Sequence, residues 1–146
     1  MRRCLGLAQL ARERGETPVG ALLVRDGRII AEGAEESRAR LDPSAHAEVV
    51  ALRAACQSER SADLTGSTLY TTVEPCVLCA YVIRRTRVSR VVYGVPAGEA
   101  GGITSRYALL ADAELEWSPP PAIVAGVLAA ECDAMLRRRA PHLPHP

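Results

Sequence analysis

The sequence predicts an α/β fold in which helices pack on the faces of a mixed sheet. Two observations predict it. Before residue 94 the apolar patterns run helix, hairpin, helix, strand, helix, strand, and the Asp26-Gly27 pair between two apolar runs is the signature of a tight antiparallel hairpin. The chain has 146 residues and a mass of 15.6 kDa, which fits a single domain over residues 1–139 with a flexible Pro-rich tail at 140–146.

Each element follows from local chemistry. Met1 to Arg14 places Leu5, Ala8, Leu10 and Ala11 at near-helical spacing, and Gly15 stops the pattern. Val19 to Val24 and Arg28 to Glu32 form the two arms of the hairpin, with Gly20 leaving the first arm thin. Gly33 to Leu41 is polar and unpatterned, a loop; Asp42-Pro43 then offers an N-cap and a first-turn proline for a helix running to about Cys56. Ser67 to Thr72 is rich in Thr and reads as a strand; Glu74-Pro75 breaks it, Cys76 to Arg85 is helical, and Val88 to Tyr93 is another strand. Beyond the glycine-rich stretch Gly94 to Gly102 the pattern predicts a short helix near Ser105 to Ala111, a strand at Glu114 to Trp117, and a helix from about Ala122 to Arg138.

Composition excludes more than it assigns. All 18 basic residues are Arg, against 17 acidic ones, and the chain has no Lys, Asn or Phe. Balanced charge argues against binding driven by phosphate neutralisation, and Ala, Val and Leu must build the core. No apolar run reaches the length of a membrane span, and Met1 to Leu10 lacks the apolar core of a signal peptide, so a cytoplasmic location without membrane contact is expected. Five cysteines, two of them three residues apart, fit metal ligation better than a disulfide framework.

The chemistry concentrates in four residues. His46 is followed by Glu48, and Cys76 and Cys79 lie in Glu74-Pro75-Cys76-Val77-Leu78-Cys79. Cysteines at i and i+3 share a helix face, and a helix N-terminus lowers thiol pKa, so the pair suits a cation. His46 adds a nitrogen, and three such ligands leave a fourth tetrahedral position for water, the arrangement of catalytic Zn²⁺. His46 and Glu48 diverge by about 200° on a helix and meet at one site only if that site lies at the first turn. Glu48 then stands beside the ion, placed to move protons. Cys4, Cys56 and Cys132 read as small buried residues, His142 and His145 as solvated, and Arg84, Arg85, Arg87 and Arg90 as helix-end stabilisers rather than phosphate ligands; Arg137 to Arg139 carries the same ambiguity.

His-x-Glu followed by Pro-Cys-x-x-Cys is the zinc deaminase signature. The chain resembles the cytidine deaminase superfamily, and within it the bacterial tRNA adenosine deaminase and guanine deaminase branch. Pro18-Val19-Gly20-Ala21, Asp42 to Glu48, Leu69 to Cys79 and Arg90-Val91-Val92-Tyr93-Gly94 carry the resemblance, with a weaker stretch near Gly126 to Leu136. It implies a three-layer αβα sandwich around a five-stranded mixed sheet, one Zn²⁺ per subunit, and a homodimer, for which the Ala-rich helix with Ala80, Tyr81 and Ile83 is a candidate contact. It also implies hydrolytic deamination in which activated water adds at the ring carbon bearing the amino group, Glu48 shuttles protons and ammonia leaves.

Two departures bear on substrate. Relatives place an Asn where Glu35 falls here, against base or sugar, and an Asp shortly after the Tyr-Gly strand end, where this chain offers only Glu99, two positions late. An ionised Glu accepts but does not donate, so Glu35 and Glu99 are candidate substrate contacts for a ligand that presents donors. With balanced charge, these departures favour a free nucleobase, nucleoside or related aminated heterocycle as substrate. The alternatives are a tRNA anticodon adenosine-to-inosine deaminase and, in another class, a non-catalytic zinc-stabilised binding module.

Overall fold

The computed structural model of the chain describes residues 1–116 and 118–137. Five strands form one sheet: β1 (Gly20–Arg25), β2 (Arg28–Ala34), β3 (Thr68–Val73), β4 (Arg90–Val95) and β5 (Ala122–Val124), in the spatial order β2-β1-β3-β4-β5. β1 pairs antiparallel with β2 and β3, whereas β3, β4 and β5 run parallel. The β1–β2 turn has positive φ at both central residues, 50° at Asp26 and 73° at Gly27, the backbone that matches the twist of a two-residue hairpin. The sheet is the mixed one that the hairpin and the later strand–helix alternation predict.

Helices α1 (Arg2–Glu13) and α4 (Ala129–Arg137) cover one face, and α2 (Ala47–Glu59) and α3 (Val77–Arg85) the other. With no Phe in the chain, the layers close through small residues. A Cβ at Gly20 would lie 2.3 Å from the Cys4 carbonyl oxygen of α1, and one at Gly33 would lie 2.3 Å from the Ala47 carbonyl oxygen of α2. The thin point in β1 is therefore where α1 touches the sheet. Leu23, Leu52, Leu69, Ile83 and Val91 are fully buried in the core between the sheet and the α2, α3 layer. Cys4 and Cys132 are buried and Cys56 half-buried, as small hydrophobes. Among the described residues no helix is long and apolar enough to cross a membrane.

The structure corrects several expectations. Asp42-Pro43 does not start α2: the Asp42 carboxylate accepts from the Ser44 N–H at 2.8 Å, closing a turn, and the helix begins at Ala47 with His46 as its N-cap. No helix forms over Ser105–Ala111, which is laid out as turns, and no strand over 114–116. The helix expected from Ala122 is instead β5, pairing Ala122, Ile123 and Val124 with Arg90, Val91 and Val92; Gly126 and Leu128 at positive φ turn the chain before α4 begins. An open sheet edge beside β4 outweighs the helical composition of that segment. Ala80 and Ile83 point into the core, and it is Leu78 and Tyr81 that α3 exposes. Trp117, Arg138, Arg139 and the tail with His142 and His145 lie outside the described residues.

Candidate active site

Two helix starts on the same face of the sheet converge. His46 is the N-cap of α2 and Cys76 the N-cap of α3, both in extended backbone, so each side chain projects past the positive end of its helix. Glu48 is the second residue of α2 and Cys79 the third of α3, which keeps all four groups within the first turns. His46 Nδ1 lies 3.4 Å from Cys76 Sγ and 3.5 Å from Cys79 Sγ, and the two sulfurs are 3.6 Å apart. A tetrahedral centre with bonds of about 2.3 Å to sulfur and 2.0–2.1 Å to nitrogen requires edges of roughly 3.5–3.8 Å. The triangle is one face of such a tetrahedron, and the three residues are positioned for a metal ion.

The electrostatics agree with a cation. The hydrogen bond from Cys79 and the neighbouring His46 hold the Cys76 thiol down to about 4, whereas Cys79 itself is pushed up by sharing its proton with Cys76 and by burial. His46 is raised to about 9, first by its bond to Cys76. These groups compete for protons that a divalent ion would displace. Glu48 is buried; it accepts from the Thr71 hydroxyl at 2.9 Å, and its other oxygen lies 3.5 Å from Cys79 Sγ. Burial pushes its carboxyl up to about 7, near the range where a proton carrier works best at neutral pH.

Glu35 and Glu99 fare differently. Glu35 sits at the open end of β2, buried, and its carboxylate accepts from the Ser37 hydroxyl and, at 3.3 Å, from the Ala47 N–H. His46 caps α2 with no side-chain bond, and Glu35, the residue that follows β2, provides the missing acceptor. Glu99 is exposed, on a short 3₁₀ turn at Gly98–Ala100, where it lines a cleft of about 950 Å³ beside Val77. The structure brings Glu35 to the His46 helix start and leaves Glu99 on the rim.

Two residues that sequence reasoning missed hold the surrounding loops. The buried Glu74 carboxylate accepts from the N–H groups of Ala97 (3.0 Å), Ile103 (2.8 Å) and Thr104 (2.7 Å), and from the Thr104 hydroxyl at 2.7 Å. An acid immediately before the Pro-Cys turn was its only signal in the sequence. Arg84, 1% exposed, donates to the carbonyls of Leu109, Asp112, Leu115 and Ser118. It binds a loop from beneath, and neither the phosphate nor the helix-end reading of the arginine cluster describes it.

Comparison with known proteins agrees with this geometry. Residues 1–95 match the family described as the cytidine and deoxycytidylate deaminase zinc-binding region. A tRNA-specific adenosine deaminase of Haemophilus influenzae is 42% identical over 137 residues, spanning 93% of this chain and 78% of that protein. A solved structure from studies of A-to-I editing by deaminases at the wobble position of transfer RNA superposes with a TM-score of 0.88 at 34% identity, covering 93% of this chain and 97% of that one. Guanine deaminase from Bacillus subtilis gives a TM-score of 0.64 at 39% identity, over 68% of this chain and 64% of its own. Paired helix starts, a His-Cys-Cys triangle of tetrahedral dimensions and a matched zinc-binding region thus place the chain in the cytidine and deoxycytidylate deaminase family, as a zinc-dependent hydrolase of C–N bonds.

Proposed function

We propose that this chain deaminates adenosine to inosine in a tRNA loop, with the reacting base turned out of its stack into the pocket at the α2 and α3 helix starts. The observation that carries the reading is the 42% identity to a tRNA-specific adenosine deaminase across 93% of the chain. The Bacillus subtilis guanine deaminase structure superposes less well, with a TM-score of 0.64 over 68% of this chain against 0.88 over 93% for the tRNA deaminase structure. This favours the RNA substrate over the free nucleobase that charge balance and the absent Asn suggested.

His46, Cys76 and Cys79 would hold the zinc ion, which supplies a nucleophilic water at neutral pH by lowering its pKa to about 7. Glu48 would hold and move the protons of the reaction, accepting one from the attacking water and delivering protons to the ring nitrogen and the departing amine, so that water and adenosine give inosine and ammonia. Thr71 fixes the orientation of the Glu48 carboxylate. Removal from solvent keeps proton affinity near neutrality, so both directions of transfer are accessible. Glu35 orients the His46 helix start through Ala47. The exposed Leu78 and Tyr81 edge of α3 supports the homodimer reading, which light scattering measures.

The test is incubation of the zinc-loaded protein with cellular tRNA, and with a panel of free bases and nucleosides, with Glu48→Ala as the blank. Inosine should appear in tRNA and vanish in the blank while zinc content is unchanged. Ammonia from a free base without inosine in tRNA would overturn the RNA reading. Glu48→Ala with full function would favour the binding module.

A further inference from the structure

We propose that Tyr107 and Arg106 form a stacking platform for a nucleotide next to the reacting one in a single-stranded RNA loop, with Glu99 reading donors on that nucleotide. The proposal rests on the tRNA reading above and deepens it. The Arg106 guanidinium lies 4.7 Å from the Tyr107 ring centroid, both side chains are exposed, and both line the 950 Å³ cleft that also contains Val77, Glu99, Thr104 and Ser105. That volume is at the upper end for sites that take small ligands, roughly 300–1,000 Å³.

Three features point to an RNA base as the occupant. First, the cleft adjoins the candidate metal site: Val77 follows Cys76 directly, and Cys76 pairs with Gly101 across an isolated bridge. A nucleotide flanking one whose base enters the metal site would reach it. Second, the chain has a formal net charge of +1, so overall charge contributes little attraction for RNA; stacking on an aromatic ring and a guanidinium plane is the charge-independent contribution for unpaired bases. The Glu99 carboxylate on the same cleft repels phosphate and accepts from amino, imino or ribose hydroxyl groups. Third, the platform is built in advance. The Ser105 hydroxyl donates to the Gly101 carbonyl and accepts from the Tyr107 N–H at 3.0 Å, Glu74 holds Ile103 and Thr104, and Arg84 holds Leu109 and Asp112 on the far side. The Thr104 hydroxyl is consumed by Glu74, and Glu99 is the one carboxylate among the described residues that line the cleft.

The experiment uses an anticodon stem-loop with 2-aminopurine placed at each loop position in turn, bound to zinc-loaded wild type, Tyr107→Ala, Tyr107→Phe and Arg106→Ala. A position beside the reacting adenosine should be quenched on binding to wild type and Tyr107→Phe and lose its quench in Tyr107→Ala. With the unlabelled loop, Tyr107→Ala should raise KM by about 5- to 150-fold with kcat within about twofold, the range expected for one lost base stack. Unchanged thermal midpoints would confirm that the exposed substitutions leave the fold intact. Wild type that deaminates the loop while Tyr107→Ala keeps its KM and quench overturns the platform and leaves the tRNA reading standing. If Arg106→Ala alone weakens binding and flattens the salt dependence by about one ion, the cleft holds a phosphate and the platform is also wrong. A wild type that neither binds nor deaminates the loop overturns both readings.

Discussion

Glu35 is a buried carboxylate beside the start of α2, and its surroundings set opposing terms. The Ser37 hydroxyl and the Ala47 N–H favour its ionised form, but burial dominates and raises its carboxyl above the ordinary range. A folded-state pKa above the unfolded value of about 4.3 stabilises the fold only below that value, and the benefit disappears as pH rises through the folded pKa. Glu35→Gln should therefore match wild type near pH 4 and become progressively more stable than wild type toward pH 8. Denaturant midpoints at each pH measure the difference. A wild type that gains on the variant as pH rises would show that the two hydrogen bonds outweigh burial.

At the scale of elements, one side chain can fix a connection that has no regular structure. Three N–H groups and one hydroxyl converge on Glu74, and Gly101 leaves room for its carboxylate: a Cβ there would come within 2.5 Å of Glu74 Oε1. Glu74→Gln replaces one acceptor by an NH₂ facing donors. At about 1–3 kcal/mol for each buried group left unpaired, amide exchange at Ala97, Ile103 and Thr104 should accelerate roughly tenfold or more. Unchanged protection would mean that the other bonds of the loop, among them Gly102 N–H to the Pro75 carbonyl and Leu110 N–H to the Gly102 carbonyl, hold it without Glu74. A second prediction concerns the α1 contact. Gly20→Ala puts a methyl 2.3 Å from the Cys4 carbonyl oxygen and 2.6 Å from the Ala8 nitrogen, so overpacking should cost about 1–3 kcal/mol in equilibrium unfolding. Full stability would show that α1 can shift away. These elements also show what a sequence reveals. The hairpin and the first three helices were legible because period and turn chemistry are local, and His46, Glu48, Cys76 and Cys79 because their spacing carries their chemistry. β5 was misread because an Ala-Ile-Val run has no local preference strong enough to compete with an available sheet edge. Glu74 and Arg84 were silent because their partners, all but the Thr104 hydroxyl, are backbone groups more than twenty residues away, which no side-chain pattern records.

For the whole molecule, the ion site joins two helices on a sheet that already has its own core. Leu23, Leu52, Leu69 and Val91 are buried without reference to the ligands, so metal removal should weaken the fold rather than abolish it. At free zinc about 1,000 times its dissociation constant, linkage contributes about 4 kcal/mol, and the thermal midpoint should fall by roughly 10 °C on chelation. Loading should also release protons in a definite number. At pH 7.5 His46, raised to about 9, holds its proton, as does Cys79, raised above the usual thiol range, while Cys76, lowered to about 4, has already lost its own. Ligation requires neutral imidazole and two thiolates, so about two protons should leave per ion, and affinity should fall steeply as pH drops. Calorimetry in buffers of different ionisation enthalpy counts them. A release near zero would mean that zinc enters elsewhere, and Cys79→Ser should lower the count by about one if the ion is held where the two helix starts meet.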